Sequence, residues 1–340
     1  MSGAAARTIG ETPTRKIVFV PRYRSDEFLR PGDSWLDYRP VIANSPQELA
    51  DELPDADVLV VGNRSYDADL AGIVRQRGTS LRLIQFSTSG LERGLRFGLP
   101  DGVTVACAPG VKASSVAEHA LALILADFRR LRPAADAQAR LAWDRAGLNE
   151  QCRNLEDAVV LVIGMGAIGQ DVARKLKAFD AEVIGINRSP KACPHADKVI
   201  GLGDLDLYLP KADVVVLCAP AHAENIGLIN RARLRLMQPR SLLVNVARGE
   251  LIDERALVEA LQNNWIRAAA LDVAEEEPPA DNSPLWSLPT ATLTPHIAGS
   301  GKGGYNRFRS LLLENLQRLS AGETLLHTID RNHRNSGTFQ

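Results

Sequence analysis

The chain has 340 residues, 45% hydrophobic and 24% charged, with 40 Lys and Arg against 41 Asp and Glu. This is the composition of a soluble globular chain of about two domains. A net charge of −1 argues against a nucleic-acid or acidic-membrane partner. The four cysteines, Cys107, Cys152, Cys193 and Cys218, are scattered without a CxxC pair, which argues against a disulfide framework and a Cys-rich zinc site. The first residues lack the apolar core of a secretory signal, and no apolar run reaches the ~20 residues that cross a bilayer, so a cytoplasmic location is expected.

Residues 1–15 are small, polar and unpatterned, and read as a frayed end. From Lys16, apolar runs at 17–20, 57–62, 81–86 and 103–106 read as strands, with helical spacing at 45–53 and 67–76 between them. Strands alternating with helices imply parallel βαβ units, so the first part reads as a small α/β domain. Residues 113–131 read as one long helix, with Pro133 ending it or following its end, and then a less regular segment, 134–157, containing Trp143. A second α/β series places strands at 158–163, 182–187, 213–218, 241–246 and 268–272. The last helix, about 304–321, carries Phe308, Leu311, Leu312, Asn315, Leu316 and Leu319 at helical spacing.

The strand at 158–163 runs directly into Gly164-Met165-Gly166-Ala167-Ile168-Gly169, with helical spacing behind it. A strand-to-helix setting is what a dinucleotide fingerprint needs. Gly164 permits the tight turn, Gly166 lets backbone approach a pyrophosphate, and Gly169 lets helix pack on strand. Ala167 and Ile168 then lie at a helix N-terminus, where free N–H groups favour phosphate. The next strand ends at Asn187-Arg188-Ser189, where an NAD-preferring fold usually carries Asp or Glu. A guanidinium and a hydroxyl suit a 2′-phosphate instead, so NADP(H) is favoured and NAD(H) remains possible. The bland alternative for Arg188 is a solvated surface charge.

Three further segments place polar residues just beyond apolar runs: Val244 to Asp253 with Arg248, Leu271 to Pro278 with Glu277, and Thr294 to Gly299 with His296. Taken singly, each has an ordinary reading: a surface ion pair, a solvated acidic turn, a structural histidine. Together they supply what reduction of a 2-keto acid needs. A cation holds the carboxylate and polarises the ketone, an imidazole exchanges the proton, and a carboxylate favours its protonated form.

In this combination the sequence resembles the D-isomer-specific 2-hydroxyacid dehydrogenase family, from about Lys16 to Asp330. Further matching segments are Val116-Ala-Glu-His119, Ala178 to Val183, Ala212 to Val216, Asp253 to Leu261 and Ser283-Pro-Leu-Trp286. The resemblance implies a fold of two Rossmann- or flavodoxin-like, doubly wound parallel-sheet α/β domains with an interdomain cleft. Residues 111–298 would bind the dinucleotide. Residues 1–110 and 299–340 would form a discontinuous substrate domain, with hinges near Gly110 and Gly299. It also implies Arg248, Glu277 and His296 as the catalytic trio, Asp272 beside the nicotinamide carboxamide, and a homodimer through the cofactor domain with 134–157 as its arm. For Trp143 the competing reading is local core.

By the same resemblance, Ser89 and Gly90 occupy the family's substrate loop, where backbone N–H groups bind a carboxylate. Arg64 lies where phosphoglycerate dehydrogenases approach the far end of their substrate. The expected activity is hydride transfer between NADP(H) and a small 2-keto acid, in the manner of a glyoxylate or hydroxypyruvate reductase. A D-3-phosphoglycerate dehydrogenase is the alternative, and it is disfavoured by the expected absence of a C-terminal regulatory domain and by Arg188. Formate dehydrogenases carry Gln at the position of Glu277. An alternative of another class is a dinucleotide-sensing corepressor that works by binding protein partners.

Overall fold

The apolar runs of this chain show little polar alternation, the pattern of strands covered on both faces. The computed structural model describes residues 15–329 apart from 22–28, 31 and 302; of the expected frayed end, 1–14 lie outside the described residues and Arg15 opens the first strand. The chain divides into two compact units, one built from residues up to 111 and from 302 onward, the other from Lys112–Gly301. Each carries one parallel sheet among the described residues.

The first unit contains β1 (Arg15–Val20), β2 (Tyr38–Ile42), α1 (Pro46–Glu52), β3 (Val58–Val61), α2 (Ala68–Arg77), β4 (Leu83–Phe86), α3 (Glu92–Phe97) and β5 (Thr104–Ala106). Its strands lie in the order β2-β1-β3-β4-β5. Alternate residues go to opposite faces: Val18, Leu59, Val61 and Ile84 pack with Leu49, Leu70 and Val74 of α1 and α2. Ile17, Phe19, Val58 and Val60 pack on the other face with Phe308, Leu312 and Leu316. Those last three belong to the C-terminal helix (Gly303–Ala321), which returns to complete this unit.

One polar contact fixes that return. Asn315 and Gln85 are both fully buried. Asn315 Nδ2 donates to Gln85 Oε1 at 2.8 Å, its Oδ1 accepts from the N–H of Leu326 at 2.8 Å, and Gln85 Nε2 donates to the carbonyl of Cys107 at 3.0 Å.

The second unit begins with α4 (Ala113–Phe128), α5 (Leu131–Ala139) and α6 (Arg145–Asn149). It continues with β6 (Val159–Ile163), α7 (Ala167–Lys177), β7 (Glu182–Asn187), β8 (Lys198–Gly201), α8 (Leu205–Tyr208) and β9 (Val214–Leu217). After these come α9 (Arg231–Leu236), β10 (Leu242–Asn245), α10 (Glu254–Gln262), β11 (Ala268–Leu271) and β12 (Ala291–Leu293), and the returning helix of the first unit is α11. The strand order is β12-β11-β10-β9-β6-β7-β8, all parallel, so the order reverses between β6 and β9. Leu161, Ile163, Val215 and Leu217 enter the core on one face, and Val160, Val162, Val214 and Val216 enter the core on the other.

Two expectations need correction. The segment 113–131 is not one helix: the chain breaks at Arg130, whose φ is +54°, and α5 starts at Leu131. Of the two readings of Pro133, the second holds: it follows the end of the first helix and does not cause it. It is the third residue of α5, where an N–H has no intrahelical partner to lose. The core reading of Trp143 also fails, because that side chain is 94% exposed.

Asn315→Leu should destabilise the first unit by about 1–3 kcal/mol, since it leaves the buried Gln85 amide short of a partner. Denaturant unfolding followed in that unit measures this, and an unchanged midpoint would show that Gln85 finds another partner.

Candidate active site

In open α/β sheets, ligands bind beyond the carboxyl ends of the strands, at the reversal of strand order. The sequence-predicted residues of the second unit all lie at that edge. The glycine loop follows β6, Arg188 follows β7, Arg248 follows β10, Asp272 and Glu277 follow β11, and His296 follows β12.

At the glycine loop, Gly164 has φ +98°, and a Cβ there would sit 2.6 Å from the backbone nitrogen of Ala219. A Cβ on Gly169 would lie 2.0 Å from the carbonyl oxygen of Gly164. Both positions exclude any side chain. Gly166 differs: a Cβ would meet nothing within 4 Å, so bare backbone faces open space where α7 begins. No side chain caps that helix and its first turn holds no acidic residue. The first-turn N–H groups at Ala167 and Ile168 and the positive helix end thus suit a pyrophosphate. A dinucleotide fits these residues.

Asn187 ends β7, and Arg188 and Ser189 beyond it are exposed. Arg188 Nη1 stands 3.8 Å from Glu224 Oε2, both side chains largely in solvent. Glu224 drew no attention in the sequence; it lies 36 positions away on a loop whose path only the fold reveals.

His296 Nδ1 lies 2.9 Å from each carboxylate oxygen of Glu277, and both side chains are 31% exposed. The carboxylate accepts, so in the neutral ring Nδ1 carries the hydrogen and Nε2 is the acceptor nitrogen. His296 adopts φ +54°, a left-handed conformation that costs a non-glycine residue about 1–3 kcal/mol. The neighbouring turn holds it. Asp272, 1% exposed, accepts from the Thr294 hydroxyl at 2.6 Å and from the N–H groups of Ile297 and Ala298 at 2.9 and 2.8 Å. Its carboxylate thus grips the loop on both sides of His296.

Arg248 follows β10 with its turn held by the buried Asn245, whose Nδ2 donates to the Arg248 carbonyl at 2.8 Å and whose Oδ1 accepts from the Ala247 N–H at 3.0 Å. A Cβ on Gly249 would lie 1.9 Å from the carbonyl oxygen of Ala274, so the Arg248 turn presses on the loop that leads to Glu277. Asn245 and Gly249 position the site, although neither was singled out by type. The signal present was an Asn at a strand end and a Gly after an Arg.

In the first unit, Arg64 is exposed on the short turn Asn63–Ser65 after β3, and Ser89 and Gly90 lie after the neighbouring β4. The two loops are joined: Ser87 N–H donates to Val61 at 3.0 Å, and Asn63 Oδ1 accepts from the Arg93 N–H at 3.0 Å. Burial pushes the thiols of Cys107 and Cys218 up to about 12, so neither is poised as a nucleophile. Among the described residues no cluster of His, Cys, Asp and Glu suits a metal ion, and no helix is long and apolar enough to cross a membrane.

The sequence profile of the D-isomer specific 2-hydroxyacid dehydrogenase NAD-binding domain matches residues 121–298. The chain belongs to this family. Over 281 residues it is 34% identical to a D-3-phosphoglycerate dehydrogenase of Methanocaldococcus jannaschii, covering 82% of this chain but only 52% of that relative. It therefore spans about half the length of that enzyme. Identity to a glyoxylate reductase of Pyrococcus furiosus is 31% over 286 residues, 82% of this chain and 83% of the relative. A D-isomer specific 2-hydroxyacid dehydrogenase from Xanthobacter autotrophicus, solved with NADPH and MES, matches with a TM-score of 0.75 at 26% identity, over 95% of this chain and 99% of that one. A Rossmann-type dinucleotide site on the second unit accords with the glycine-loop geometry.

Because the space beside Gly166 is open, Gly166→Val should leave thermal stability unchanged and abolish measurable binding of NADPH and NADH by calorimetry. Normal binding by a stable variant would remove the α7 N-terminus as the phosphate site.

Proposed function

We propose that this protein reduces a small 2-keto acid of the glyoxylate or hydroxypyruvate kind to the D-2-hydroxy acid, with NADP(H) favoured and NAD(H) possible. The observation that carries this is the His296–Glu277 pair, whose carboxylate sets the tautomer of a proton-exchanging imidazole. The bound dinucleotide supplies the hydride in reduction and accepts it in oxidation. In reduction, protonated His296 donates from Nε2 to the carbonyl oxygen as it gains charge, and Glu277 stabilises the imidazolium through Nδ1. In oxidation, neutral His296 takes the hydroxyl proton at Nε2. Arg248 binds the substrate carboxylate and stabilises the charge that develops on oxygen.

Residues 111–298 serve as the dinucleotide domain, with Asp272 beside the nicotinamide, and residues 1–110 and 299–340 serve the substrate. Backbone N–H groups of Ser89 and Gly90 bind its carboxylate, and Arg64 reaches its far end. The NADP(H) reading rests on Asn187-Arg188-Ser189, where β7 ends without a carboxylate to receive a 2′-hydroxyl. A second reading, oxidation of 3-phosphoglycerate, is favoured by the 34% identical relative and by the exposed Arg64. A panel of glyoxylate, hydroxypyruvate and 3-phosphoglycerate with both cofactors separates the two. Homodimerisation is proposed on Leu131, Leu141 and Trp143, which are 56, 97 and 94% exposed on the α5–α6 segment.

His296→Ala should lower kcat for keto-acid reduction by about 10²–10⁴-fold with NADPH affinity unchanged. An unaltered kcat would remove His296 from the chemistry. Arg188→Ala should weaken NADPH binding about tenfold or more and leave NADH nearly as before, since a charge-assisted contact is lost only with the 2′-phosphate. Equal loss for both cofactors contradicts the phosphate assignment. Trp143→Glu should shift sedimentation from dimer to monomer, and an unaltered profile would place the interface elsewhere.

A further inference from the structure

His119 lies on α4, 175 positions before its partner, and takes no part in the chemistry described above. Its Nε2 is 2.9 Å from Thr294 Oγ1 and 3.5 Å from Asp272 Oδ1, and its side chain is only 19% exposed. Thr294 has a single hydroxyl hydrogen. That hydrogen is committed to Asp272 Oδ1 at 2.6 Å, so towards His119 the hydroxyl can only accept. His119 therefore donates from Nε2. The chain of donors runs from His119 to Thr294 to Asp272 and ends on a buried carboxylate that also holds the N–H groups of Ile297 and Ala298.

We propose that His119 is a positioning residue for His296. It fixes the Thr294 hydroxyl, which with Asp272 clamps residues 294–298 and keeps His296 in its left-handed conformation with Nδ1 on Glu277. Removing the donor leaves the Thr294 rotor without its orienting partner and deprives a buried carboxylate of a nearby polar group. Both effects loosen the loop that strains His296 into place. The proposal rests on His296 as the proton-exchanging group.

The test uses the full chain with His119→Leu, which removes the donor, and His119→Gln, whose amide nitrogen restores one. With NADPH and glyoxylate, His119→Leu should lower kcat by about ten- to a hundredfold, the scale of a misplaced reacting group. KM and NADPH affinity should stay within about threefold, because neither depends on the proton transfer. His119→Gln should recover most of the loss. A second readout needs no turnover: the ring C–H resonance of His296, assigned by its disappearance in His296→Asn, should be broadened or split in His119→Leu and single in His119→Gln. A sharp, unshifted His296 resonance in His119→Leu would overturn the proposal, as would equal impairment of both variants accompanied by equal loss of thermal stability. If the parent protein turns over no keto acid, the reductase reading falls, and the resonance alone decides whether His119 holds His296.

Discussion

The carboxylate of Asp272 is the constraint on which the rest of the site depends. It is buried, and a buried charge is tolerated only when its oxygens are occupied. Here they are occupied by one hydroxyl and two backbone N–H groups from a stretch of five residues centred on His296. The same contacts that satisfy Asp272 impose the left-handed backbone at His296. Aligned with Glu277, the imidazole inherits a fixed tautomer, and on the proposed function Nε2 is the atom that exchanges a proton. A single side chain at the carboxyl end of β11 thus orders the turn that carries the His296–Glu277 pair.

The second unit sorts its charges by edge of the sheet. At the amino ends of the strands, charges pair with one another: Asp213, 3% exposed, accepts from Arg153 and from the N–H of Val159, and Arg240 lies 3.0 Å away. Asp127 is bound by Arg267, which immediately precedes β11. These groups brace the sheet from below. At the carboxyl ends lie the His296–Glu277 pair and Arg188, whose 3.8 Å contact with Glu224 is solvent-exposed and weakened by screening.

Much of this was legible in the sequence because the site residues sit in short segments with local meaning. The glycine loop announces itself through spacing, and Arg248, Glu277 and His296 each follow an apolar strand. What was not legible depends on partners far away in the chain or on conformations no residue type signals. Arg130 breaks a helix at positive φ without being Gly or Asn, so the sequence reads through it. Strand β2 is an edge strand containing Pro40, paired only with β1, and Pro is tolerated at such an edge though it masks the strand pattern. Three-residue β12 is too short for any periodicity, yet it delivers His296. His119 was visible as part of a motif, but its connection to Asp272 passes through Thr294, a link that exists only after folding.

On the proposed function, Asp272 and Glu277 present Nε2 of His296 to a substrate oxygen. The most direct measurement is a crystal structure of the protein with NADP(H) and oxamate, an unreactive 2-keto-acid mimic. The account predicts Nε2 of His296 about 2.6–3.2 Å from the oxamate keto-position oxygen, with Nδ1 still on Glu277 and Arg248 on the carboxylate. An oxamate bound with that oxygen away from His296, or His296 turned off Glu277, would contradict it.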